Sequence, residues 1–196
     1  MLSERLQLKL FLDLAPDQHF DLEALVPVFH RFIRDRVIPE LVIDVVDYSH
    51  VPNGPGVVLI GHESDFYVGN LDGAFGLVYS RKRGGPGADA RLEDALRRLV
   101  NAARLLEQEP GLELRFRRNE LSLRLTDRLH APNDDATSAA TQAEVLALFT
   151  RVYGGPVAVT RLPASKEPLG LRIEASSSPS LEALLDKLGG PPAAAN

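Results

Sequence analysis

Two short runs of apolar residues constrain this chain more than any other feature. They are LVIDVV, which begins at residue 41, and VVLIG, which begins at residue 57, and PNGPG lies between them. Short runs rich in valine and isoleucine are typical of strands, and Asn-Gly is a turn signal, so the pattern predicts a β-hairpin. Because both sides of LVIDVV are apolar, we expect its strand in the interior of a sheet, covered on both faces.

The composition is that of an ordinary globular protein. The 196 residues are 44% hydrophobic and 25% charged, and none is cysteine. This length predicts a single domain over residues 1–188, followed by a disordered tail over residues 189–196. The lack of cysteine excludes thiolate chemistry and fits a cytoplasmic protein. A net charge of -5 argues against binding to nucleic acid or to a membrane, and no cofactor signature is recognised.

Two kinds of apolar spacing alternate along the chain. Spacings of three and four predict helices, and strict alternation predicts strands. The predicted helices begin at Leu25, Asp89, Thr141 and Leu181, and they end before Pro39, before Pro110, at Tyr153 and at Leu188. The predicted strands cover residues 6–13, 41–48, 57–63 and 75–81, a hairpin over 112–125, and a hairpin of 157–162 with 169–174. We therefore expect an α+β fold, a mostly antiparallel sheet with helices packed on it, built from helix–hairpin units.

Ionisable residues within the first predicted hairpin form the candidate site. Depending on the register, Asp44 faces Glu63 or Ser64. The first register brings two carboxylates together, which favours a divalent cation, and the second pairs Asp44 with His62 for acid–base chemistry. Asp44, His62 and Glu63 are therefore the candidate catalytic and metal-binding residues. The alternative is structural: a buried Asp44 carboxylate paired with arginine or backbone amides, beside a strand end that emerges into solvent.

Other polar residues lie near enough in the sequence to join such a site. Asp47 and His50 follow Asp44 on the same hairpin, and Asp127, His130 and Asn133 occupy a later loop that could approach from across the sheet. No HExxH or GxSxG motif accompanies them, so the sequence leaves open whether the protein is an enzyme.

Basic residues form two further candidate features. Arg115, Arg117 and Arg124 are predicted to project from one side of the second hairpin, where they would bind a phosphate, a nucleic-acid backbone or an acidic partner; a solvated sheet face is the preferred alternative. The segment RGGPG, residues 83–87, precedes a helix and would hold an anion together with neighbouring basic residues. It lacks the GxxxxGK[ST] pattern, so a mobile connection is preferred.

Two resemblances accompany these patterns. The segment DVVDYSHV…GPGVVLIGHES resembles one in an uncharacterised family of bacterial proteins of about this length. The predicted order helix, three strands, helix, two strands, helix over residues 25–153 is similar to that of type III secretion chaperones. That resemblance implies a small, acidic, dimeric protein that binds extended segments of its partners.

Two functional hypotheses follow. The preferred one is a non-enzymatic interaction or adaptor module, a homodimer that binds a protein partner through a face of its sheet or of a helix. The alternative is an enzyme that binds a small molecule or a divalent cation at Asp44, His62 and Glu63.

Overall fold

The computed structural model describes residues 3–15, 20–52, 54–71, 74–163 and 167–192, and within them the fold is α+β. The strands are β1 (Leu6–Leu12), β2 (Val42–Tyr48), β3 (Gly56–Gly61), β4 (Ser64–Leu71), β5 (Ala74–Arg81), β6 (Phe116–Leu125), β7 (Val157–Arg161) and β8 (Leu169–Ala175). The helices are α1 (Leu25–Arg34), α2 (Arg91–Glu107), α3 (Asp135–Tyr153) and α4 (Leu181–Lys187). Asn53 of the predicted turn and residues 193–196 of the predicted tail lie outside the described residues.

All eight strands belong to one antiparallel sheet. Their order is β2-β3-β4-β5-β1-β6-β8-β7, so the first strand of the chain lies in the middle and pairs with both β5 and β6. The strands from β2 to β5 form a continuous meander on one side of β1. The sheet therefore ends at β2 on that side and at β7 on the other.

The helices pack on one face of the sheet. One core cluster joins alternate residues of the strands to the apolar sides of all four helices, and the four even-numbered leucines of β1 are at most 3% exposed. Helix α2 lies against β1, β5 and α4, whereas α1 packs on β2 and α3 packs on β7 and β8. A smaller apolar cluster of Val58, Tyr67 and Val78 lies on the opposite face.

Strand β2 is an edge strand, and the prediction that it lies in the interior is wrong. It pairs with β3 alone, and the side chains of Leu41 and Ile43 are 66% and 58% exposed. The apolar run has the composition of a strand covered on both faces. Composition does not show whether a second strand lies beside it. Among the described residues, no strand lies on the outer side of β2.

Two further differences change the strand count within the predicted units. Strand β4 was not predicted, since its sequence SDFYVGNL mixes polar residues with a turn-like Gly-Asn pair. The predicted hairpin over residues 112–125 is instead the single strand β6, which keeps the polar residues 117–120 inside the strand. Four strands therefore follow α1 and one follows α2, so the order on which the chaperone resemblance was based differs by one strand in each unit.

Candidate functional site

Asp44 does not face the residues predicted to be its partners. In the pairing of β2 with β3 it lies opposite Ile60, and neither Glu63 nor Ser64 is in register with it. An irregularity in β2 just before Asp44 shifts the pairing, which pattern analysis of the hairpin does not detect. The Asp44 carboxylate instead accepts a hydrogen bond from the N–H of Val45 at 2.8 Å, so its observed partner is the backbone of its own strand.

His62 and Glu63 lie in the turn between β3 and β4 and are held separately. The His62 side chain is exposed, while its backbone N–H donates to Leu41 O at 2.8 Å. The Glu63 carboxylate is 3.4 Å from the Arg98 guanidinium. Among the described residues no hydrogen bond joins Asp44 to His62 or Glu63, and none of the concavities considered below is lined by these three residues.

Three of the additional candidates, Asp47, Asp127 and His130, are also bound locally. Asp47 accepts a hydrogen bond from the N–H of Ser49 at 2.8 Å, and hydrogen bonding to Ser49 lowers the pKa of Asp47. Asp127 is 2.9 Å from His130 Nδ1, and this hydrogen bond lowers the pKa of Asp127. Within the described part of the chain, no group of three or more histidine and carboxylate side chains is placed to hold a metal ion.

The three arginines predicted to form a row have separate partners within the chain. Arg115, which precedes β6, donates to the carbonyl of Leu114. Arg117 pairs with Glu120 at 3.2 Å, and Arg124 pairs with Glu167 at 3.0 Å. Because the predicted hairpin is a single strand, the geometry that would have placed all three on one side does not arise.

The main concentration of buried charge is a group that sequence patterns missed, here called the ionic cluster: Glu40, Ser64, Arg81, Asp94 and Arg98. Glu40 accepts hydrogen bonds from the N–H of Ser64 at 3.0 Å, from the Ser64 hydroxyl, and from Arg98 at 3.1 Å. Asp94 accepts from Arg98 Nε at 2.9 Å and is 3.4 Å from Arg81 Nη1. The cluster joins the α1–β2 connection, β4, β5 and α2.

Burial makes this cluster electrostatically sensitive. Its four charged side chains are between 1% and 12% exposed, and two carboxylates are matched by two guanidinium groups. Burial raises the pKa of Glu40, an effect that its hydrogen bonds to Ser64 and the charge of Arg98 oppose. Removing one partner from such a group leaves a buried charge uncompensated. Because Glu40 and Asp94 are both engaged by hydrogen bonds, the arrangement is that of a structural network.

Two glycines fit closely around the ionic cluster. A Cβ atom at Gly61 would collide with the Glu40 carboxylate, and one at Gly85 would collide with the Arg81 guanidinium. Arg81 also donates to the carbonyl of Gly84 at 3.1 Å. The RGGPG segment therefore packs around Arg81. A signal for the cluster was present in the sequence, since Asp94 and Arg98 are four residues apart on α2, the spacing of a helical ion pair.

The second notable feature is apolar and exposed. A groove of about 500 Å³ lies between the end of α1 and the start of β2, and Phe32, Ile33, Ile38 and Leu41 provide most of its apolar lining. Exposed apolar side chains also lie beside this groove, before, within and after β2. We call the groove and the exposed residues the β2 surface; the exposed residues are Val37, Leu41, Ile43, Tyr48 and Val51.

The opposite edge of the sheet differs from β2. Strand β7 has five residues against seven in β2, exposes only the small side chains of Ala158 and Thr160, and lies against α3. Arg161 at its end pairs with Asp135 of that helix. Short, polar or covered edges resist further strand pairing, whereas a longer apolar edge favours it.

Comparisons with known proteins add no assignment. Among the described residues, no helix combines the length and the hydrophobicity needed to cross a membrane. The resemblances inferred from the sequence stay predictions. No protein-family model matches the chain, and no curated protein and no solved structure is detectably similar to it.

Proposed function

We propose that the chain is a non-enzymatic protein-interaction module whose β2 edge receives an extended segment of a partner protein. The observation that carries this proposal is the unpaired outer edge of β2, beside which Ile43 of the strand and Leu41, the residue before it, are more than half exposed. An added strand pairs its backbone with such an edge and places alternate side chains in neighbouring pockets. The adjacent groove offers apolar side chains of the partner a place to bind.

The backbone of β2 supports strand addition. The N–H of Val45 is bonded to the side chain of Asp44, which is how an edge amide without a strand partner is satisfied. A docking strand would supply a carbonyl for Val45 and release the Asp44 carboxylate. The released carboxylate would then bind a cationic side chain of the incoming strand.

Charge indicates what kind of segment fits. Residues 41–49 include Asp44 and Asp47 but no lysine or arginine, and neither aspartate has an ion-pair partner among the described residues. Pairing with a second copy of β2 would bring four carboxylates together, which like-charge repulsion disfavours. The proposed occupant is therefore a partner segment in which apolar residues alternate with lysine or arginine, in place of the homodimer expected from sequence.

A photo-crosslinking experiment tests this proposal in the native host. Benzoylphenylalanine is incorporated in place of Ile43, and, as a matched control, in place of Leu146, an apolar residue of α3 that is 45% exposed away from β2. We expect a discrete adduct from position 43 and none from position 146. Mass spectrometry of the adduct should locate the crosslink in a segment that contains lysine or arginine.

A second arm tests the role of charge. In the position-43 protein, Asp44→Lys combined with Asp47→Lys should abolish the adduct, because the cationic segment would be repelled. An adduct of twice the chain mass would show that a second copy occupies the edge and would overturn the proposal. Equal adducts from positions 43 and 146, or no adduct from either, would also overturn it.

A further inference from the structure

A second concavity, of about 490 Å³, lies at one end of the central strands β5, β1 and β6, away from the β2 edge. Its lining residues bear either a cationic or a hydroxyl group, and no carboxylate is among them; they are Arg5, Ser80, Arg81, Lys82, Arg83 and Thr126. We call it the basic pocket. Its volume is within the range of small-molecule sites.

Two of the cations in the basic pocket are already neutralised. Lys82 is 2.6 Å from Asp65 and donates to the carbonyl of Gly61 at 2.7 Å, while Arg81 belongs to the ionic cluster. These bonds hold the end of β5 in place. The uncompensated positive charge of the pocket therefore comes from its other two cationic residues.

Those two residues, Arg5 and Arg83, have exposed side chains without an acidic partner among the described residues. Most arginines of the described chain contact a carboxylate or another side-chain or backbone oxygen, whereas these two guanidinium groups lie together at one concavity. The guanidinium group presents paired donors that match the oxygens of a phosphate.

The hydroxyl groups provide further donors. Ser80 Oγ accepts a hydrogen bond from the side-chain amide of Gln7 at 3.2 Å, so its own O–H remains available to a ligand. The N–H groups of Lys82 and Arg83 both donate to the carbonyl of Glu63, at 2.9 and 3.2 Å, which fixes the backbone beside the pocket.

We propose that the basic pocket, lined by Arg5, Arg83, Ser80 and Thr126, binds the phosphate group of a small molecule. Arg5 and Arg83 provide the charge-assisted hydrogen bonds, and the two hydroxyl groups complete the coordination of the phosphate oxygens. The basic pocket and the groove of the β2 surface share no lining residue.

The test is a titration of the labelled protein with inorganic phosphate and, separately, with glycerol 3-phosphate, followed by backbone amide NMR at constant ionic strength. Saturable shifts are expected at residues 80–83 and at Thr126, whereas glycerol should cause none. Tighter binding of glycerol 3-phosphate than of inorganic phosphate would identify a phosphorylated small molecule as the ligand, and equal binding would identify free phosphate.

Variants separate a site from general charge attraction. Arg5→Gln and Arg83→Gln should each weaken phosphate binding by about tenfold, the loss expected for one hydrogen bond to a charged group. The control is Arg36→Gln, which removes another exposed arginine with no acidic partner among the described residues, at the β2 groove. An equal loss in the Arg36 variant, shifts that do not saturate, or shifts centred elsewhere would overturn the proposal.

Discussion

Gly61 lies against the ionic cluster at a position with room for a hydrogen atom but not for a side chain. An added Cβ would collide with the Glu40 carboxylate and lie 2.6 Å from the carbonyl of Ser64. Because the backbone and a hydrogen-bonded carboxylate cannot both move aside, we expect Gly61→Ala to lower the free energy of unfolding by about 2 kcal/mol, as overpacking does elsewhere. Urea denaturation followed by circular dichroism measures this change.

Gly87 provides the matched control for that experiment. A Cβ at this position would meet no atom within 4 Å, and the residue has a φ of -55°, which alanine readily adopts. We expect Gly87→Ala to leave stability unchanged or to raise it by about 0.5 kcal/mol, because alanine restricts the unfolded chain. Equal losses in the two variants would show that close packing at Gly61 is not the cause.

At the level of secondary structure, α4 depends on its first turn. The Ser180 side chain accepts a hydrogen bond from the N–H of Ala183 at 3.1 Å, and the helix then packs three buried leucines into the core. We expect Ser180→Ala to cost about 1 kcal/mol of stability, the usual effect of losing such a cap. Ser178→Ala removes an exposed hydroxyl that makes no hydrogen bond within the described part of the chain, and it should change stability by less than about 0.5 kcal/mol in the same urea assay.

Sequence patterns predicted the helices and several strands because each one has a periodic apolar side. They failed where the deciding contact is distant in sequence. The position of β2 depends on which strands lie beside it, and the course of β6 depends on partners such as Glu107, which pairs with Arg118. Without knowledge of those partners, the polar run of residues 117–120 resembles a turn.

The candidate site illustrates the same limit. Asp44 and His62 were candidates because they lie within or beside apolar runs. In the observed register, however, Asp44 lies opposite Ile60, and its carboxylate bonds to the N–H of Val45. The ionic cluster consists of four buried charged residues, 40, 81, 94 and 98, and Ser64, and these come from four separate parts of the chain. Only the spacing of Asp94 and Arg98 is visible locally. The remaining contacts require the fold.

At the scale of the whole molecule, the ionic cluster couples the helix layer to the β2 side of the sheet. Arg98 of α2 bonds to Glu40, which lies two residues before β2, and Glu40 bonds to the first residue of β4. The groove of the β2 surface includes Glu40 in its lining. Protonation of the Glu40 carboxyl therefore affects both the packing of the sheet and the groove beside its β2 edge.

This coupling predicts a pH dependence of stability. Burial raises the pKa of Glu40 above 4.5, the value for an exposed glutamate. A carboxyl whose pKa is higher in the folded state stabilises the fold fully below its unfolded pKa, and that contribution is lost as the pH rises through the folded pKa. In Glu40→Gln the group does not titrate. The free energy of unfolding of the wild type, minus that of Glu40→Gln, should therefore decrease as the pH rises from below 4.5.

Urea denaturation at a series of pH values measures this difference, with Glu113→Gln, an exposed position, as the control. Parallel pH profiles for the wild type and Glu40→Gln would show that Glu40 has the same pKa in the folded and unfolded chains, which would contradict its burial as the dominant effect.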